Sequence, residues 1–147
     1  CNFDDEILEE YFMIANQHVH VLDEFNNFME EEIYQMMVAT TEDQDELILE
    51  NTTTLKVARW WNRACDIIPC NGGKDIGIQK ILDYFNFNKE EAMAFGDGGN
   101  DISMLKYVGT GVAMGNAKDN VKAIADYITD SVQEDGIVSA LKHFEIL

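Results

Sequence analysis

Asp97 and Asp101 stand four positions apart in Gly96-Asp97-Gly98-Gly99-Asn100-Asp101, after the short apolar run 92–95 and at the start of a helical stretch over 101–108. Glycines between two carboxylates let both converge on the end of the preceding strand. Hard divalent cations such as Mg2+ take carboxylate oxygens and retain waters, so the pair can offer one direct ligand and one that acts from the second layer. The same residues also suit an ordinary turn, because Asp-Gly and Gly-Gly are turn dipeptides and Asp caps helices. Two other motifs are excluded by position. An EF-hand loop counted from Asp97 would need Gly where Ile102 stands and Glu where Val108 stands. A dinucleotide fingerprint would need its third glycine where Asp101 stands. Upstream, Gly72-Gly73-Lys74 precedes a second helical stretch. A lysine ammonium is a compact point charge suited to a phosphate or a carboxylate nucleophile, although a lone lysine is as readily a solvated surface residue.

The elements that must carry these groups follow from periodicity. Helices are expected over 75–85, 101–108, 117–127 and 136–144, and short apolar strands over 92–95, 110–114 and 127–129. Helix alternating with buried strand predicts right-handed crossovers and a parallel sheet, whose ligands bind at the carboxyl ends of the strands. The first part of the chain has another rhythm. It reads as a helix over 5–16, strands over 18–22 and 33–40, a short helix over 41–51, and two strands over 55–61 and 64–69 joined at Asn62-Arg63. That is an α+β layer, with a boundary expected between Pro69 and Gly73. Trp60 and Trp61 are expected on opposite faces of their strand, and Cys65 and Cys70 as small buried residues. His18 and His20 could reach a metal with Cys65 or Cys70, but Val19 and Val21 between and after them favour a half-buried strand.

Composition narrows the function classes. The chain has 147 residues, of which 46% are hydrophobic and 26% charged, which excludes intrinsic disorder. Ten Lys and Arg against 28 Asp and Glu give a net charge of −18, which repels phosphodiester backbones and anionic lipid. Nucleic acid and membrane surfaces are therefore not expected as partners. Three cysteines without CxxC spacing argue against a disulfide framework and for a reducing, cytoplasmic setting.

Lys74 and its helix, then Ala94-Phe95-Gly96-Asp97-Gly98-Gly99-Asn100-Asp101-Ile102-Ser103-Met104-Leu105, Gly111-Val112-Ala113-Met114-Gly115-Asn116-Ala117, Ala125-Asp126-Tyr127-Ile128-Thr129 and Glu134-Asp135-Gly136-Ile137 occur in a specific order and spacing. Together they resemble the C-terminal portion of a Cof-type phosphatase of the haloacid dehalogenase (HAD) superfamily. The likeness covers residues 69–144 closely and residues 59–69, as the last strands of an α+β cap, more loosely. It implies an α/β fold: residues 72–147 as the C-terminal half of a Rossmann-like core with a parallel sheet, and residues 1–71 as part of the cap domain. It also implies a Mg2+-dependent phosphomonoester hydrolase acting on small phosphorylated metabolites such as sugar phosphates. Lys74 would contact the phosphoryl group and the nucleophile, Asp97 and Asp101 would hold Mg2+, and Asn100 would help organise the phosphate site.

Two departures matter. Asp75 stands where that family usually has glycine, and could cap the helix and partly neutralise Lys74. The family's nucleophile lies in Asp-x-Asp-Gly-Thr, a segment absent from these 147 residues. Asp43-Gln44-Asp45 matches its first three positions, yet Glu46 replaces the glycine and the surrounding residues read as a helix start. The expectation is therefore a fragment, inactive by itself, that pairs with a missing N-terminal segment or self-associates through an exposed core strand edge. The alternative is a non-catalytic module that binds Mg2+ and phosphate, or a partner chain.

Overall fold

The structure, a computed structural model, describes residues 6, 9, 10, 13 and 32–147. The chain divides into two compact units, Cys1–Cys70 and Asn71–Leu147.

In the first unit, β1 (Met36–Ala39), β2 (Leu55–Trp61) and β3 (Ala64–Pro69) form an antiparallel sheet in the order β1-β3-β2. β3 occupies the centre and buries Ala64, Cys65 and Ile67, as a strand paired on both edges should. A 3-10 turn at Glu42–Gln44 and the helix α1 (Asp45–Leu49) lead from β1 to β2. Glu6, Glu9, Glu10 and Met13 are helical, in keeping with the helix expected over 5–16. The strand expected over 18–22, with His18 and His20, lies outside the described residues.

Two expectations in this unit are corrected. The pairing register shifts between Arg59 and Trp61, and the two indoles lie with ring centroids 6.3 Å apart and planes 15° from parallel. Both are half-buried, because a bulge inserts one residue and cancels the two-residue alternation that would have sent them to opposite faces. Cys65 is buried, and burial pushes its thiol pKa up. Cys70, however, is exposed, since it lies one residue past the end of β3.

The second unit carries the parallel sheet. α2 (Lys74–Phe85) precedes β4 (Met93–Gly96), α3 (Ile102–Tyr107) joins β4 to β5 (Thr110–Ala113), and α4 (Asp119–Lys122) joins β5 to β6 (Tyr127–Ile128). The strand order is β4-β5-β6, with both pairings parallel, and α5 (Gly136–His143) follows. Ala94, Leu105, Val108, Ala113, Ala117 and Val121 form the core, with Ile78, Ile102 and Tyr107 packed against it. Small residues in the strands let the helices approach the sheet closely.

The helix expected over 117–127 is only four residues long. Its second half is drawn off by the sheet: the Asp126 N–H donates to the Gly111 carbonyl at 2.8 Å, and the Gly111 N–H donates to Asp126 Oδ2 at 2.7 Å. These reciprocal bonds start β6 beside β5 and override the local helical period. Because the strands are parallel, the turns after Gly96, Ala113 and Ile128 gather at one end of the sheet, past the carboxyl ends of its strands. No helix among the described residues is long and apolar enough to cross a membrane.

Candidate active site

The carboxyl end of β4 runs directly into Asp97, Gly98 and a 3-10 turn at Gly99–Asp101 that opens α3. This tight reversal swings Asp101 back beneath the strand end, where it is buried. Asp101 Oδ2 accepts the backbone N–H groups of Asp97 and Gly98, both at 3.0 Å, while Oδ1 accepts from Lys74 Nζ. The geometry leaves no room for a side chain at Gly96, where a Cβ would lie 2.6 Å from the Asp101 Cβ. Burial alone would push the Asp101 carboxyl up, but Lys74 and the two N–H groups outweigh it and hold the pKa below the usual carboxylate range.

Lys74 reaches this carboxylate from the first residue of α2. Gly73, immediately before it, has φ 126°, a backbone conformation that side chains resist. The lysine side chain is 48% exposed against 8% for Asp101, so the pair is buried at its carboxylate and half-open at its lysine. Asp75 does not compete for it. Its Oδ1 accepts from Ser103 Oγ at 3.1 Å, a bond that links α2 to α3.

Asp97 is disposed differently from Asp101. It is exposed, and its Oδ2 accepts from Asn116 Nδ2 at 2.9 Å. Its Oδ1 has no hydrogen-bond partner among the described residues. Asn100 is half-buried, with its Oδ1 lying over Gly98, where a Cβ would come within 2.7 Å.

Lys74, Asp97, Asn100 and Asp101 therefore share one end of the parallel sheet. Asn116, from the stretch Gly115-Asn116-Ala117, joins them through Asp97. The signal for it was its position just past β5, beside the end of β4, where such sheets collect their ligand-binding groups. Asp43 and Asp45 belong to the first unit: Asp43 lies in the 3-10 turn and Asp45 pairs with Arg59. Their resemblance to a nucleophile segment ends at those three residues.

The donor set fits a hard divalent cation in part. No group of three or more His, Cys, Asp or Glu that could hold a metal occurs among the described residues. What the turn offers is one open carboxylate oxygen, Asp97 Oδ1, with a buried carboxylate behind it. Such a donor set suits Mg2+, which keeps several waters and commonly takes one or two protein carboxylates.

Comparison with known proteins identifies the family. A sequence model of the haloacid dehalogenase-like hydrolases matches residues 4–141. The chain is 35% identical over 150 residues to the 5-amino-6-(5-phospho-D-ribitylamino)uracil phosphatase YitU of Bacillus subtilis, covering 97% of this chain and 55% of that one. Among solved structures it is similar to the HAD subclass IIB sugar phosphatase BT4131, with a TM-score of 0.87 and 38% identity, covering 98% of this chain and 56% of that one. It is likewise similar to BT1666 from Bacteroides thetaiotaomicron, described among the phosphatases of the HAD superfamily, with a TM-score of 0.87, 34% identity and coverage of 99% and 55%. The chain thus spans about half the length of each of these relatives. By sequence and by fold, it belongs to the haloacid dehalogenase-like hydrolases.

Proposed function

We propose that the second unit is the lysine and metal-carboxylate half of a Mg2+-dependent phosphomonoester hydrolase acting on small phosphorylated metabolites, sugar phosphates among them. The observation that carries the reading is the division of labour between the two carboxylates. Asp101 is buried and fully engaged by Lys74 and two backbone N–H groups, whereas Asp97 keeps one oxygen open. Asp97 is the direct cation ligand in this reading, and Asp101 acts from behind it, fixing Lys74 and the turn. The cation would offset negative charge on a phosphoryl group in transfer.

Lys74 would bind the phosphoryl group through the side of its ammonium that Asp101 leaves open, and Asn100 would complete the phosphate site. Covalent transfer needs a nucleophile, and no residue here matches one, so the 147 residues alone should not turn over substrate. The nucleophile would come from an Asp-x-Asp-Gly-Thr strand pairing with the outer edge of β4, the end strand of the sheet. A cytoplasmic setting accords with the free thiols of Cys65 and Cys70.

Thermal melts with and without millimolar MgCl2 test the cation site. A ligand that binds the folded state raises the melting temperature by mass action. The expected outcome is a Mg2+-dependent rise in wild type that is absent in D97N. An equal rise in both would place the ion elsewhere and refute the reading.

A further inference from the structure

Asn116 spends both polar ends of its amide. Nδ2 donates to Asp97 Oδ2 at 2.9 Å, and Oδ1 accepts from the Val132 backbone N–H at 3.1 Å. The two partners fix the direction of the amide, because a carboxylate can only accept and an N–H can only donate. Turning the amide over would set oxygen against carboxylate and amine against amine. Asn116 therefore ties together the turns that follow β4, β5 and β6.

We infer that Asn116 is a positioning residue for cation binding: held by the Val132 N–H, it pins one oxygen of Asp97 and turns the other outward. The inference rests on the reading of Asp97 as the cation ligand. Asp97 sits on an exposed, glycine-flanked turn, so its carboxylate would otherwise sample several rotamers, and ordering it would oppose cation binding. A neutral amide suits the task better than a charged group. A lysine or arginine at 116 would orient Asp97 equally well but would also neutralise the charge that draws the cation. Hydrogen-bond partners of metal-ligating carboxylates commonly govern affinity in this way.

Titration of the 15N-labelled chain with MnCl2, read as paramagnetic broadening of the Gly98 and Gly99 amide signals, tests the inference without turnover. Wild type should show saturable broadening at these amides, and D97N none. N116L keeps the branched outline of Asn116, with a somewhat larger volume, but neither polar end, and should weaken the apparent Mn2+ affinity about 10-fold. Its metal-free spectrum should match wild type outside the three turns.

V132P supplies the second arm. Val132 is the first residue of a 3-10 turn, and Ser131 before it is already extended at φ −70° and ψ 167°, so proline is tolerated while the N–H is removed. V132P should weaken Mn2+ binding in the wild-type background and have no further effect on N116L. Undiminished affinity in N116L beside lost binding in D97N would overturn the role of Asn116 and leave the cation site standing. So would equal, additive losses from V132P in both backgrounds. Broadening in D97N equal to wild type would instead remove the cation reading on which the inference rests.

Discussion

Asp101 shows how one buried carboxylate organises a site. Its four-position offset from Asp97 brings it back under the strand end, where two backbone N–H groups and Lys74 use both oxygens. Asp101→Ala would leave those partly buried N–H groups and Lys74 without their acceptor, and should cost about 1–2 kcal/mol in urea unfolding. Acid should act on the same contact. The Asp101 carboxyl titrates below the usual range in the folded chain, so the unfolded chain takes up a proton first as pH falls. Its contribution is complete above the ordinary carboxylate pKa of about 4 and is lost as pH drops through the lower folded value. Between about pH 5 and pH 3, the urea midpoint should therefore fall less steeply in D101N than in wild type. Parallel slopes would show that Asp101 does not carry this share of the acid sensitivity.

At the scale of elements, Arg59 holds the first unit together as Asp101 holds the second. Arg59 Nη1 donates to the Thr40 carbonyl at 2.9 Å and to the Trp61 carbonyl at 3.3 Å, while Nη2 pairs with Asp45. The end of β1, the start of α1 and the bulged end of β2 thus meet on one guanidinium. Its side chain is 16% exposed, and the Asp45 contact raises its pKa further. Arg59→Met keeps the stem but strands two carbonyls and a carboxylate, and should cost about 2–3 kcal/mol in urea unfolding. Asp45→Asn retains the two carbonyl bonds and should cost about 1 kcal/mol or less. Equal losses for the two substitutions would mean that the ion pair, not the carbonyl bridge, carries the stability.

At the scale of the whole molecule, the proposal that a nucleophile-bearing strand belongs beside β4 has two consequences. Purified alone, the chain should show no turnover of p-nitrophenyl phosphate above the buffer rate. Turnover lost in D97N would mean that a nucleophile exists among these residues after all. The chain should also associate. β4 ends the sheet with an unpaired hydrogen-bonding edge among the described residues, and Met93, Ala94 and Phe95 carry no charge to oppose pairing. Ile81, Tyr84, Phe85 and Phe87 are exposed as well, at 60%, 79%, 60% and 55%. The −18 net charge opposes bulk aggregation, but screening at physiological salt confines repulsion to about 8 Å and leaves a specific pairing possible. Sedimentation equilibrium should show a dimer that dissociates when an N-terminal piece carrying that strand is added. A monomer that unfolds cooperatively would count against the pairing.

The strands Leu55–Trp61 and Ala64–Pro69, the helix Lys74–Phe85 and the alternation that follows were legible in the sequence, because their apolar periods are local and uninterrupted. Lys74, Asp97 and Asp101 stood out as charged residues beside glycines at strand and helix ends, and Asn100 only through the family resemblance; their roles remain part of the proposal. The sequence could not divide the roles of the two aspartates, which depend on a lysine reaching one of them from another helix. Nor could it assign Asn116, whose partners lie on the turns after β4 and β6 and meet only when the parallel sheet aligns its carboxyl ends. The bulge at Trp60 and the shortened helix at Asp119–Lys122 were hidden for the same reason. Local pattern determines which elements form and which residues can do chemistry. Pairing between distant segments decides which of those residues face one another, because hydrogen bonds across the sheet outweigh the preferences of any single stretch.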